Sequence, residues 1–264
     1  MLVFRPKTWT AIGAALALAG CGEGAGGEAG KAGGAVGEGE GAATAPAAAP
    51  GGEGEGGAGE AGGGVGEAGA SDAYAQIPAE SRTALRLAHL KGFFLAAQAA
   101  GPVEGKEAAA ALVGQGMLEV FDPEAQTLRR AGVDETALRA AANSGDPAQI
   151  RTAIASLDAA SAKAGGDPAA VARGMTDIAA GLYRGVFVDG DGVDPIEYQH
   201  AYGAALAARS LAESRRELAP AKAELDKLVA MWPAPVAPDS PAGLKSAAQV
   251  QAQASRVGLA LSGL

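Results

Sequence analysis

Between Ser71 and Leu264 the apolar positions recur at helical spacing. Ile150, Ile154 and Leu157 form one stripe, and Leu225, Leu228, Val229 and Trp232 a second. Leu244, Ala248, Ala254, Val257 and Leu261, with Gln251 in register, form a third. No stretch alternates with the period of two that a half-buried strand requires. Asp-Pro occurs at Asp122-Pro123, Asp146-Pro147, Asp167-Pro168 and Asp194-Pro195, each time ahead of an Ala-rich run. An aspartate at the N-cap accepts from free backbone N–H groups, and proline at the next position needs no partner and already has helical φ. Gly101-Pro102, Gly132, Gly145 and Gly165-Gly166 follow periodic stretches, where a left-handed C-cap is wanted. The pattern predicts an all-α fold, with helices near 80–100, 104–120, 123–131, 135–144, 147–164, 168–187, 195–217, 220–231 and 241–262 packed as one bundle. Pro233, Pro235 and Pro238 predict an extended connector before the last helix.

The N-terminal third has a different pattern. Residues 22–70 are almost wholly Gly, Ala and Glu, with no apolar side chain larger than Val36 and Val65. Such a stretch cannot bury enough surface to offset its ordering entropy, so a disordered linker is expected. Glu23, Glu28, Glu38, Glu40, Glu53, Glu55, Glu60 and Glu67 face only Lys31, a net of −7 whose self-repulsion favours extension. A flexible coil of this length has an end-to-end distance of about 35–42 Å.

Ahead of it, Arg5 and Lys7 precede an apolar run from Ile12 to Leu18 that closes in Leu18-Ala19-Gly20-Cys21. The run is shorter than the ~20 apolar residues a membrane span needs, and its charge order is that of an export signal. Cys21 is the only cysteine, so no internal disulfide is available, and a position directly after a leader suits a nucleophile poorly. Leu18-Ala19-Gly20-Cys21 resembles the bacterial lipobox. The resemblance implies acylation of the Cys21 thiol and a mature chain that begins there. More than one acyl chain, at ~0.8 kcal/mol per buried methylene, would hold such a protein firmly at a membrane. Gly22, in place of aspartate, resembles the outer-membrane sorting outcome, with the domain facing the periplasm. The expected organisation is a lipoprotein signal peptide over 1–20, a lipidated cysteine and disordered linker over 21–72, and a periplasmic helical-bundle domain over 73–264.

The chain carries a net charge of −9, of which −4 falls on residues 71–264. That balance argues against nucleic acid as a partner, which calls for a clustered basic face. The motifs Gly-x-Ser-x-Gly, Ser-x-x-Lys and Gly-x-x-x-x-Gly-Lys are absent from the sequence, so no catalytic residue is assigned. The expected role is a non-catalytic binding or accessory module, joined to the membrane by its lipid and to an envelope protein by its bundle, with no cofactor.

The segment Val188-Asp189-Gly190-Asp191-Gly192-Val193-Asp194-Pro195 places three carboxylates on a Gly-rich loop. A calcium loop is opposed by detail. With Asp189 first, Asp194 stands where the invariant glycine belongs, Val193 occupies a ligand position, and His200 replaces the terminal glutamate. An interhelical turn capped by Asp194 is favoured. The chain has two histidines, His89 and His200. Glu197 and His200, three apart, lie on neighbouring helix faces, as in the Glu-x-x-His pairs of di-iron bundles. Ile196, His200 and Leu211 share a side, which favours a core-edge histidine bonded to a neighbour, and His89, one turn from Leu85 and Phe93, reads as a satisfied buried imidazole. The alternative is a metal site built from His200, Glu197, Asp189, Asp191 and His89.

One resemblance bears on that alternative. The run from Tyr183 to Leu211, with its Asp-Gly turn and with Glu197-Tyr198-Gln199 leading into Ala201-Tyr202-Gly203, resembles a segment of the soluble helical region that accompanies bacterial high-affinity iron permeases. The block His89-Leu90-Lys91-Gly92 is similar to the lead helix of related periplasmic helical lipoproteins. These resemblances imply periplasmic handling of a transition metal such as iron or copper.

Overall fold

The computed structural model describes residues 65–188 and 192–264, with side chains from Ala70 onward. The leader, Cys21, most of the linker, Asp189 and Asp191 lie outside the described residues. The helices are α1 (Val65–Gln76), α2 (Arg82–Glu104), α3 (Lys106–Gly116), α4 (Ala125–Arg130), α5 (Glu135–Ser144), α6 (Pro147–Ala164), α7 (Pro168–Tyr183), α8 (Pro195–Ser214), α9 (Lys222–Val229) and α10 (Ala247–Leu261). The described chain is an all-α bundle, as its periodicity predicts.

Helix α2 is the spine, because its apolar residues face two ways. Leu85 and Ala88 join the core formed with α1, α7, α8, α9 and α10. Leu87, Leu90, Phe93, Phe94 and Ala97 join a second core formed with α3, α4, α5 and α6. Burial on two sides explains why so Ala-rich a helix carries little one-sided amphipathicity, and why its neighbours fix it so closely.

Three of the four Asp-Pro pairs start helices as expected. Asp146 accepts from the Ala148 N–H at 2.9 Å, Asp167 from Ala169 at 2.8 Å, and Asp194 from Ile196 at 2.8 Å and Glu197 at 3.1 Å. The fourth does not, since Asp122 opens a short 3₁₀ turn without capping it and accepts from the Arg139 guanidinium at 2.8 Å instead. Among the predicted stops, Gly145 takes the left-handed conformation at φ 59° and Gly132, Gly165 and Gly166 all have positive φ. Gly101-Pro102 is corrected: α2 runs through Pro102, one backbone bond short near its end, and stops at Gly105, where φ is 93°.

Four further differences are informative. Helix α1 starts at Val65, inside the stretch whose composition predicts linker, because Ala73 and Ile77 bury against α7. The expected absence of strands fails at one short hairpin, β1 (Phe187–Val188) and β2 (Gly192–Val193), paired antiparallel. The last helix begins at Ala247 rather than 241, where Ser246 and Gln249 form a capping box. Its inward face is Val250, Ala254, Val257 and Leu261, so Ala248 and Gln251, placed inward by the sequence stripe, face solvent.

Candidate functional site

The two histidines of the chain meet where α2 crosses α8. The approach is set by glycine: a Cβ on Gly203 of α8 would lie 2.4 Å from the Gly92 carbonyl oxygen of α2, and a Cβ on Gly92 would lie 3.0 Å from the Gly203 oxygen. The two backbones are therefore in direct contact, and residues one turn away on either helix are drawn together. Phe93 fills the space beside this contact, beneath Gly116 of α3, where a Cβ would come within 2.7 Å of the Phe93 Cβ and Cγ.

Phe93 sits between the imidazoles. The His200 ring meets it edge-on with centroids 4.5 Å apart, and the His89 ring lies tilted at 5.4 Å. Each histidine has one polar partner from another helix. His200 Nε2 is 3.0 Å from Gln115 Oε1 of α3, an acceptor that calls for the Nε2–H tautomer. His89 Nδ1 is 2.9 Å from the Tyr74 hydroxyl of α1. Burial raises the Tyr74 phenol well above its ordinary range, so the hydroxyl keeps its proton, and which partner donates follows from the tautomer of the His89 ring. The Arg86 guanidinium stacks over the Tyr74 ring at 5.8 Å and pairs with Glu124 at 2.5 Å.

Burial pushes His89 down to about 3, with the neighbouring His200 as the smaller cause, and pushes His200 down to about 4. Both rings are neutral at pH 7. Neutral imidazoles packed on an aromatic face, each holding one hydrogen bond, tie α1, α2, α3 and α8 at a single node.

Beside the node, Gln199 is fully buried. Its Nε2 donates to Glu104 Oε2 at 2.7 Å, and its Oε1 has no hydrogen-bond partner among the described residues. Lys91, also buried, donates from Nζ to Asp158 at 2.5 Å and to Ser210 Oγ at 2.7 Å, linking α2 to α6 and α8.

The structure brings together only part of the set named from the sequence. His89 and His200 join. Glu197 lies against Gly185, where a Cβ would come within 3.1 Å of its Cδ, on the hairpin side of α8. Asp194 is the cap of that helix, and Asp189 and Asp191 lie outside the described residues. Among the described residues there is no group of three or more His, Cys, Asp or Glu that could hold a metal ion. Ile196, placed beside His200 by the helical wheel, is 37% exposed.

Sequence reasoning missed Tyr74, Gln115, Gln199 and Lys91. The last was legible in principle, as a lysine on a helix whose every neighbour is apolar or small. Tyr74 and Gln115 carry no local signal, because their role depends on which helices become neighbours.

The cavities lie elsewhere. A cleft of about 480 Å³ opens where the end of α1 meets α7 and the C-terminal residues, lined by Gln76, Ile77, Arg173, Asp177 and Leu261. A second, of about 210 Å³, adjoins it along α1, lined by Asp72, Gln76, Asp177, Arg184 and Gln251. No helix among the described residues is long and apolar enough to cross a membrane. No protein-family model, no curated protein and no solved structure matches the chain.

Proposed function

We propose that this chain is an exported lipoprotein, acylated at Cys21 and held at the outer membrane facing the periplasm, whose helical bundle is a non-catalytic module that docks on an envelope protein. The observation that carries the reading is the position of the sole cysteine: Cys21 closes a basic-then-apolar leader in Leu18-Ala19-Gly20-Cys21. An acyl anchor supplies membrane attachment to a domain whose described helices include none able to span a bilayer. The Gly/Ala/Glu stretch that follows gives reach, on the order of 35–42 Å if it behaves as a coil. The two buried imidazoles are each bonded to a side chain of another helix, in the His89–Tyr74 and His200–Gln115 pairs, which suits a docking body more than a reaction vessel.

Metal handling is the reading these positions favour less. Of its three described side chains, the fold joins His89 and His200, each of which already has a hydrogen-bond partner, and sets Glu197 beside Gly185. A concentration-dependent rise in Tm with iron or copper would reinstate it.

The anchoring claim is tested by growing cells with a fatty-acid probe. Wild-type chain should take up label and sediment with membranes, whereas Cys21→Ala should do neither. Label on the alanine variant refutes the reading. Crosslinking in cells should then trap a defined envelope neighbour, and capture of none would remove the docking role.

A further inference from the structure

Helix α1 differs from the rest of the bundle in how it is held. Among its described side chains, those that attach it to the core are Ala73 and the adjoining Ile77, buried, with Ala70 and Tyr74 partly buried beside them. The two clefts described above both open along its contact with α7 and share Ala73, Gln76 and Asp177, so unfilled space borders the α1–α7 contact. Packing of that kind forfeits dispersion contacts which the interior helices retain. Gly66 and Gly69 add a backbone-entropy cost to helix formation. The polar tie from α1 to the body is the Tyr74 hydroxyl on His89.

The release point is equally defined. Ser81 is fully buried, and its Oγ accepts from the Asp167 N–H at 2.9 Å. Gly166 presses on the same residue, where a Cβ would lie 2.8 Å from the Ser81 Cα. The chain from Ser81 onward is thus pinned to the start of α7. Pro78, with φ −53° and ψ 142°, stands extended between that pin and α1.

We propose that α1 is a strap that opens as a unit about Ile77–Pro78 while the rest of the bundle stays folded, uncovering the His89 imidazole. Few buried apolar groups and loose packing place a segment at the low end of the range of local opening free energies. The proposal does not depend on acylation of Cys21.

Hydrogen exchange on the full chain tests it, with peptides from α1 compared against α7 and α8. Amides of α1 should be at least about 100-fold less protected than those of α8, the signature of an opening well below the global one. Carbethoxylation of the histidines by diethyl pyrocarbonate is the second measurement. His89 should react faster than His200, which lies under α3, and Tyr74→Phe should speed His89 a further two- to tenfold, as the loss of one buried hydrogen bond implies, without speeding His200. Equal protection of α1 and α8 overturns the proposal. So does reaction of His89 and His200 in step in both the wild type and Tyr74→Phe.

Discussion

At the residue scale the crossing of α2 and α8 is decided by two hydrogen atoms where other residues carry a Cβ. A methyl at Gly203 meets backbone 2.4 Å away and cannot be relieved by rotating a side chain, whereas at Gly92 the corresponding distance is 3.0 Å. Gly203→Ala should therefore cost about 1–3 kcal/mol or more, with Gly92→Ala costing less, in denaturant unfolding. Gly114→Ala is the control. That glycine is inside α3 with open space around it, so alanine should stabilise by roughly 0.5–1 kcal/mol. If all three variants behave alike, the crossing is not set by glycine contact. The histidines make a prediction of a different kind. Their folded values of about 3 and about 4 lie below the unfolded value of 6.5, so the unfolded chain takes up protons first. Their contribution to stability is complete above about pH 6.5, is lost as pH falls toward 4 for His200 and 3 for His89, and is constant below that. The carboxylates that the fold depresses, Glu135, Asp146 and Glu224, take up protons chiefly below about 4.5, and Asp177, which burial raises, opposes a loss on acidification, so the loss between pH 6.5 and 4.5 belongs to the imidazoles. Unfolding free energy should drop by on the order of several kcal/mol across that window. A His89→Asn/His200→Asn variant should show a nearly flat line there, and a wild type flat across the window would contradict the burial of both rings.

At the element scale, the helix starts were the most legible feature and the reason is local. An Asp-Pro pair carries its own acceptor and its own φ, so Asp146, Asp167 and Asp194 cap α6, α7 and α8, and the pair fails only at Asp122, where the Arg139 guanidinium takes the carboxylate. Replacing any of the three with alanine should cost about 1 kcal/mol, read as a lower denaturation midpoint with an unchanged slope. Asp122→Ala should cost less, because its partner is a half-exposed Arg139 and not the backbone. A loss at Asp122 equal to that at Asp167 would contradict the assignment. What sequence could not supply was every element decided by its neighbours. Helix α1 has no continuous apolar stripe in its sequence, and Ala73 with the adjoining Ile77 buries in the core that α7 shares. The Phe187–Val193 hairpin is two residues wide on each side, too short for alternation to register as a pattern. In α10 the apolar stripe is right at Ala254, Val257 and Leu261 and off by one position at its start, where Val250 and not Gln251 is buried, and the capping box at Ser246 marks where the helix begins.

At the scale of the whole molecule the sequence supports a three-part plan, and the parts were legible to different degrees. The helical bundle over the described residues follows from alanine content, periodicity and punctuation. The meeting of His89 and His200 does not, since the two are 111 positions apart and the α2–α8 crossing alone joins them. Within the metal alternative, the helical spacing of Glu197 and His200 suggests one shared site, whereas Glu197 packs beside Gly185 and His200 beside Phe93. The docking and anchoring roles rest on Cys21 and its leader. Mass analysis of the mature polypeptide purified from membranes is the most direct test of that claim. The account predicts an N-terminus at Cys21 carrying thioether-linked diacylglycerol. A mature chain that starts elsewhere, or one that keeps Cys21 as an unmodified thiol, would contradict it.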